Sequence, residues 1–220
     1  MCFSATASFV AGTSLSVIGI VTLKQAKTKS EIPVAIVPLL FGVQQLVEGI
    51  IWLSFDTDAP LVKQVMTYIY SGFSHVLWPF YIPFAMGFLE AVPWRKKTIF
   101  TFGAIGISVG LYLLYFIVNR SVVAEVIGHH IVYVMPHFYS IPVMVLYVTA
   151  TCFSCFFSSH GFVRIFGGLA FLSFIGAYLV DQMALFSIWC FFAAVLSLMI
   201  YFHLRFRNLG GFLKITSATR

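Results

Sequence analysis

The sequence predicts an all-α membrane protein: a bundle of seven transmembrane helices with its N-terminus out and its C-terminus in. Three observations carry this prediction. The 220 residues are 60% hydrophobic and only 9% charged, whereas a soluble domain carries about 25% charged residues. Seven apolar stretches approach the roughly 20 residues that cross a bilayer. The basic residues gather in alternate loops, which indicates an orientation.

The helices are placed by the apolar stretches and by the polar residues that separate them. The predicted helices are residues 5–23, 33–54, 65–89, 98–118, 138–158, 165–182 and 186–205. The last two follow each other with only Asp181 and Gln182 as a polar break, which predicts a tight helical hairpin. No linker or clear repeat divides the chain, so residues 1–220 are expected to form one domain.

The basic residues that give the net charge of +6 are distributed in agreement with the predicted topology. Eleven of the 13 basic residues fall in the loops of one side or in the C-terminal tail, and only Lys63 and Arg120 fall on the other side. The positive-inside rule places the basic side in the cytoplasm. This distribution makes the bilayer of the inner (plasma) membrane the expected partner and argues against a nucleic-acid partner.

One connection is long. Residues 119–137 join helices four and five on the outer side, and the segments SVVAEVI and HIVYVM flank a glycine there. Runs of β-branched and aromatic residues around a glycine predict a short extracytoplasmic β-hairpin, which we expect to cover the outer end of the bundle. Tyr133 in this segment, like Trp52 and Trp94, is expected at the membrane–water interface.

Glu48 is the strongest indication of a functional site, because it is a lone carboxylate within the apolar second helix. A charged side chain at the centre of a membrane helix costs roughly 2.5–3.5 kcal/mol on insertion scales. Gln44, Gln45 and Trp52 share its helical face through i+3 and i+4 spacing. Glu48 is therefore expected to face other helices or water and to have a partner there.

A second polar stripe follows the third helix and consists of Thr67, Ser71, Ser74, His75 and Trp78. At 1.5 Å per residue, Glu48 lies roughly 9 Å and His75 roughly 15 Å below the outer surface. Because a short loop joins these helices, we expect a Glu48–His75 contact, direct or through water. Asp181 reaches the same outer half. The candidate ligand-binding residues are Gln44, Gln45, Glu48, Ser71, His75, Trp78 and Asp181.

Structural roles compete with function at these positions. Intramembrane hydrogen bonds average only about 0.6 kcal/mol, and serines and glutamines commonly serve to join helices. An ionisable pair is a costly way to join helices, which favours function for Glu48 with His75. Asp181 also fits a simple turn between helices six and seven.

A divalent metal such as zinc is the cofactor that these side chains could hold. The candidate metal ligands are Glu48, His75, His129, His130 and Cys2, whose amine and thiolate could act together after removal of Met1. Cys152 and Cys155 form a C-x-x-C without a partner pair, which favours close helix packing over metal binding.

The pattern leaves several functions open, and the sequence identifies no catalytic residue. The outward-facing pocket could bind a small molecule or lipid, a metal ion or protons. The enzymatic alternative is a metal-dependent hydrolase of a lipid-like amide or ester, with Ser71 polarising the substrate. A transporter or channel is less favoured, because the sequence has no evident inverted repeats or Gly/Pro-broken helix pairs. A structural subunit is the remaining alternative.

Two resemblances bear on these alternatives. The blocks MCFSATASF, VPLLFGVQQLVEGIIW, WPFYIPFAMGFLE, YVTATCFSCFFSSHGFVRIFG and SIWCFFAAVLSLMIYFHLR span nearly the whole chain. They resemble a bacterial family of seven-helix integral membrane proteins without an assigned function, which implies the architecture and no activity.

The second resemblance concerns Ser71 and His75, which have Ser-x-x-x-His spacing, with Asp181 as a further carboxylate. This set is similar to the seven-helix hydrolases that include alkaline ceramidases and progestin-receptor-like proteins. The resemblance implies zinc-dependent hydrolysis. The HxxxH pair of those proteins is missing, since the last helix contains only His203.

Overall fold

A computed structural model describes residues 4–57, 59–128, 130–134 and 140–207. Within these ranges the chain forms seven helices and a two-stranded sheet. The helices are α1 (Ala5–Gln25), α2 (Ile32–Asp56), α3 (residues 60–89), α4 (Pro93–Asn119), α5 (Ile141–Phe156), α6 (Gly161–Val180) and α7 (Leu185–Arg207). Five of these, α1, α2, α4, α6 and α7, are long and apolar enough to cross a membrane. The predicted helical architecture is therefore confirmed, and the five apolar helices agree with a membrane protein.

Three helices begin earlier than the hydropathy pattern predicts. α3 begins at Pro60 instead of residue 65, α4 at Pro93 instead of 98, and α6 at Gly161 instead of 165. Proline is favoured in the first turn because its missing N–H has no intrahelical partner there in any case. The basic residues 95–97, expected in a loop, therefore lie near the start of α4. The prediction placed each of these helix starts after the charged residues, whereas in the structure each helix begins before them.

The loops gather at two ends of the bundle. One end, which we call the hairpin end, contains the ends of α2, α4 and α6 and the starts of α3, α5 and α7. There Ser187 at the start of α7 contacts Glu48 in α2. The opposite end, the basic end, carries the loops rich in lysine and arginine. There Glu90 after α3 contacts Ser159 before α6.

The predicted hairpin is confirmed at the hairpin end. Strand β1 (Val123–Ile127) pairs antiparallel with β2 (His130–Val134). Gly128 follows β1 with a φ of 63°, a left-handed conformation that favours glycine. Ile131 and Tyr133 of β2 are buried in one apolar cluster with Ile51 of α2 and Tyr70 of α3. The sheet therefore packs onto the bundle, and this contact fixes Tyr133 above α2 and α3.

Two helices contain π-helical segments that the sequence does not predict. In α3 the segment is Gly72–Leu77, and in α5 it is Thr149–Phe153. The hydroxyl of Tyr147, just before the α5 segment, donates to the backbone carbonyl of Ser74 inside the α3 segment. π-helical turns are rare and frequently occur at functional sites. The α3 segment contains His75, so the interruption falls at a predicted site residue.

Small residues allow close helix crossings. A Cβ added to Gly42 in α2 would lie 2.6 Å from the Oγ atom of Ser16 in α1. A Cβ at Gly167 in α6 would overlap Cys155 in α5. Membrane helices without a large hydrophobic driving force associate through such contacts. The position of Cys155 agrees with a packing role for this part of the C-x-x-C.

Glu90 joins two loops at the basic end. Its Oε1 atom accepts hydrogen bonds from the Val92 N–H at 2.9 Å and the Ser159 hydroxyl at 2.8 Å. Its Oε2 atom accepts from the Ser159 N–H at 2.5 Å and the Ser158 hydroxyl at 3.2 Å. Helix five, predicted to extend over 138–158, ends at Phe156 because the residues after it turn towards this carboxylate. Residues 138 and 139 lie outside the described ranges.

The hydrogen bonds to Glu90 determine its charge state. Burial acts to raise its pKa, but the bonds from Ser159, Val92 and Ser158 outweigh burial and lower the pKa from 4.5 to about 2. A carboxyl group with a lower pKa in the folded protein stabilises the fold above its unfolded pKa. That contribution is lost as the pH falls from about 4.5 towards 2.

Replacement of Glu90 by glutamine tests this role. We expect Glu90→Gln to unfold more easily than the parent protein at pH 7, because the amide loses a charge-assisted acceptor. The difference should shrink between pH 5 and pH 3, because the unfolded parent chain binds a proton at Glu90 in this range and the folded protein does not. Thermal unfolding in detergent at both pH values measures this. Glu125→Gln, at an exposed strand position, is the control; an equal effect of both variants would contradict the role.

Candidate functional site

Glu48 is fully buried and hydrogen-bonded by neutral side chains from other parts of the chain. Its Oε1 atom accepts a hydrogen bond from the Ser187 hydroxyl at 2.6 Å and one from the Tyr133 hydroxyl at 3.4 Å. Its Oε2 atom accepts from the Gln45 amide at 3.3 Å. Tyr70 of α3 also lies next to this carboxyl group. The prediction that Glu48 faces other helices therefore agrees with the structure.

The hairpin supplies part of this environment. The rings of Tyr133 in β2 and Tyr70 in α3 stack with centroids 4.3 Å apart and planes 9° apart. Tyr133 is only 2% exposed, whereas Trp94 is 59% exposed. The side chain of Tyr133 therefore faces the interior of the protein, where its ring has an aromatic partner and its hydroxyl contacts Glu48. Its expected position at the membrane–water interface stays a prediction.

The α2 face that carries Glu48 is formed by residues at helical spacing. Gln44, Gln45 and Glu48 are all fully buried, and Trp52 one turn further is partly buried. The Oε1 atom of Gln44 accepts a hydrogen bond from the indole N–H of Trp78 at 2.7 Å. The structure thus brings the predicted stripes of α2 and α3 into direct contact at this pair.

The ring of Trp78 and the side chain of Gln44 each have a further contact. Its ring stacks on Phe41 of α2 with centroids 3.9 Å apart. The Gln44 side chain also lies near the Cys190 thiol in α7. Polar groups of α2, α3 and α7 therefore lie close together next to the Glu48 shell.

His75 lies in the π-helical segment of α3 and is fully buried. Its Nδ1 atom lies 2.7 Å from the Ser74 hydroxyl. Its ring also has a hydrogen bond with the backbone of Ser71, one helical turn earlier, where the Ser71 side chain is fully buried. The ring packs against Phe186 of α7 with centroids 3.8 Å apart.

Glu48 and His75 are related through α7. His75 packs on Phe186, and Glu48 bonds the next residue, Ser187. The two predicted site residues thus meet consecutive residues of one helix. Any movement of the start of α7 changes the surroundings of both.

Asp181 has a local structural role. It ends α6, and its Oδ1 atom accepts hydrogen bonds from the backbone N–H groups of Met183 at 2.8 Å and Ala184 at 3.3 Å. These bonds form the turn that leads into α7. This is the turn position that the sequence offered as the simpler interpretation of Asp181.

The candidate metal ligands are only partly described. Cys2 and His129 lie outside the described ranges, and His130 lies partly buried in β2. Among the residues that the structure describes, no group of three His, Cys, Asp or Glu side chains is placed to hold a metal ion. The metal site therefore stays a prediction.

Sequence reasoning missed three members of the Glu48 shell: Ser187, Tyr70 and Tyr133. Ser187 stands alone in the apolar start of the last helix, and an isolated hydroxyl there is a weak indication of a partner. Tyr70 lies one turn before Ser74 in the polar stripe of α3 and extends it. The position of Tyr133 depends on how the hairpin folds back, for which the strand pattern gives no direction.

The fold and this site define a class: helical membrane proteins with a buried carboxylate at the hairpin end. The chain belongs to a family of unknown function, DUF6629, whose profile matches residues 1–213. This confirms the expected membership in an uncharacterised family. Neither the curated proteins nor the solved structures gave a match to the chain. The resemblance to ceramidase-like hydrolases stays a prediction.

Removal of the Ser187 hydroxyl tests the Glu48 shell. We expect Ser187→Ala to lower the free energy of unfolding by about 1–3 kcal/mol, because a buried acceptor loses its shortest hydrogen bond. Ser108→Ala removes an exposed serine that bonds only its own helix, and its effect should stay within about 0.5 kcal/mol. Denaturant unfolding in micelles compares the two. Equal stabilities of the two variants would argue that the Ser187–Glu48 bond does not matter.

Proposed function

We propose that the protein is a multi-pass inner-membrane protein, N-terminus out and C-terminus in, that binds a proton or a small cation from the outside at Glu48. The hairpin would cover this site, and its displacement would admit the ligand. The observation that carries the proposal is the contact between the Tyr133 hydroxyl of the hairpin and the fully buried Glu48 carboxyl group.

The surroundings of Glu48 favour a cationic ligand. Its hydrogen-bond donors are two hydroxyl groups and an amide, from Ser187, Tyr133 and Gln45. These groups can orient a carboxylate but carry no positive charge to neutralise it. A buried negative charge without a cation is costly. Either a proton or a bound cation removes that cost, which gives Glu48 a reason to exchange one.

The contacts of the hairpin support its role as the cover of Glu48. Tyr133 is the residue of β2 that reaches Glu48, and its ring rests on Tyr70. Opening would expose the carboxyl group and remove one donor at the same time. The affinity of Glu48 for its ligand would then differ between the open and closed states, which is the condition for a ligand to control the cover.

Transport of the bound ion is a second candidate, and the π-helical segments favour it. Interrupted membrane helices commonly surround ion and substrate sites. Here one interruption contains His75 in α3, and the other in α5 is joined to it through Tyr147 and Ser74. The hydrolase alternative has no comparable support, since Asp181 serves the α6–α7 turn.

Infrared difference spectroscopy of purified protein tests the proposal. A titration should reveal the C=O stretching band of a protonated carboxylic acid that is absent from Glu48→Gln and kept in Glu125→Gln. Tyr133→Phe should shift this band, because the carboxyl group loses a hydrogen bond. Sodium, potassium, magnesium, calcium and zinc are then added in turn, and a cation that displaces the proton should remove the band.

The outcomes separate the alternatives. A Glu48 band that neither titrates nor responds to any of these cations would contradict the proposed site. If the band responds, flux of protons or of the responding cation into liposomes that is lost in Glu48→Gln favours transport. The same response without flux favours a binding protein.

A further inference from the structure

A pocket lies at the basic end, at the opposite end of the bundle from the Glu48 shell. It opens between the loop after α1, the end of α3, the start of α6 and the end of α7, and its volume is about 240 Å³. Its polar lining consists of Thr28, Ser30, Glu31, His160, His203 and Arg207. The remaining lining is apolar. A pocket with this many hydrogen-bond donors beside an apolar wall suits a polar group attached to, or lying beside, lipid.

The charge of Glu31 is already matched within the pocket. Arg207 forms two hydrogen bonds with it, Nη1 to Oε1 at 2.6 Å and Nη2 to Oε2 at 3.0 Å. The Lys27 N–H donates to Oε2 at 2.9 Å. The bond from Arg207, opposed in part by burial, lowers the pKa of Glu31 to about 2. Glu31 therefore stays ionised and holds the guanidinium in place.

Arg207 keeps donors for a ligand. A guanidinium group carries about five N–H donors in a fixed plane, and the two bonds to Glu31 use only part of them. Its side chain is 37% exposed. A guanidinium fixed on one edge by a carboxylate is preorganised to meet acceptor oxygens on another edge.

Two histidines add ring nitrogens to the pocket lining. The His203 ring stacks on Phe162 with centroids 3.8 Å apart and planes 20° apart, so one face of the ring is covered and its nitrogens lie at the ring edge. The Nε2 atom of His160 lies 3.3 Å from the backbone oxygen of Leu89. An imidazole N–H group can donate a hydrogen bond to a phosphate oxygen.

We propose that this pocket binds a phosphate group, the chemistry shared by an anionic lipid headgroup and free inorganic phosphate. Phosphate oxygens accept hydrogen bonds, and the hydroxyls of Thr28 and Ser30, the imidazoles and Arg207 can all donate them. A metal ion is a poorer fit. Glu31, His160 and His203 all line the pocket, yet no described group of three such side chains has metal-ligand geometry.

The location supports the same ligand. The basic end carries further positive charges. Lys24, Lys27 and Lys29 lie in or next to the loop after α1. Arg164 lies at the start of α6 and Arg205 at the end of α7. Basic pockets between membrane helices on the cytoplasmic side bind anionic lipid headgroups. The positive charges of the basic end would draw phosphate to the pocket, and the donors that line the pocket would then hold it.

Binding is tested with protein in nanodiscs. In discs of phosphatidylcholine alone, inorganic phosphate is titrated and followed by phosphorus NMR. In discs containing phosphatidylglycerol, retained lipid is counted by native mass spectrometry. Binding in the first arm identifies free phosphate as a ligand, and retention in the second identifies a lipid headgroup. Absence of both would overturn the proposal.

Variants locate the site. The double variant His160→Gln/His203→Gln should bind about tenfold more weakly, because the ring N–H donors to the charged phosphate are removed. Arg205→Gln removes a positive charge two residues before Arg207 from a side chain that is exposed, and it should bind as the parent does. If both variants lost phosphate binding equally, only the positive surface charge would attract phosphate, and the proposed site would be overturned. If the double variant unfolds, Ser30→Ala takes its place, and unchanged binding in it would count against the pocket.

Discussion

A carboxyl group inside an apolar helix must find hydrogen bonds within the protein, and this constraint organises the hairpin end. Glu48 takes them from its own helix at Gln45, from the start of α7 at Ser187 and from the hairpin at Tyr133. The partners are separated by 3, 139 and 85 residues. A single side chain thus ties together elements that a hydrophobic contact alone would position only loosely, since dispersion contacts have little directionality.

Three buried acidic residues have different hydrogen-bond partners, and the difference follows their location in the fold. Glu31 and Glu90, in loops at the basic end, are bound by a guanidinium and by backbone N–H groups, which keep their pKa values near 2. Glu48, within a membrane helix, is bound by neutral hydroxyl and amide groups. The first two are therefore fitted to hold loops as permanent anions. The third lacks a cationic partner among these contacts, which is why we propose that it exchanges a proton or cation.

The sequence predicted the helical bundle and the hairpin because both depend on local patterns of apolar and β-branched residues. It also predicted the buried face of Gln44, Gln45 and Glu48, since helical spacing sets that face. The partners Ser187 and Tyr133 come from distant segments, and one sequence contains no information on which segments meet. The π-helical turn at His75 also had no local indication, because it is supported by a tertiary contact from Tyr147 to the Ser74 carbonyl.

The central claim is that the hairpin is bound to Glu48 through Tyr133. A double-mutant cycle with Glu48→Gln and Tyr133→Phe measures this most directly, with the free energy of unfolding in micelles as the readout. The account predicts a coupling energy of at least about 0.5 kcal/mol between the two positions. Additive effects of the two substitutions would contradict it.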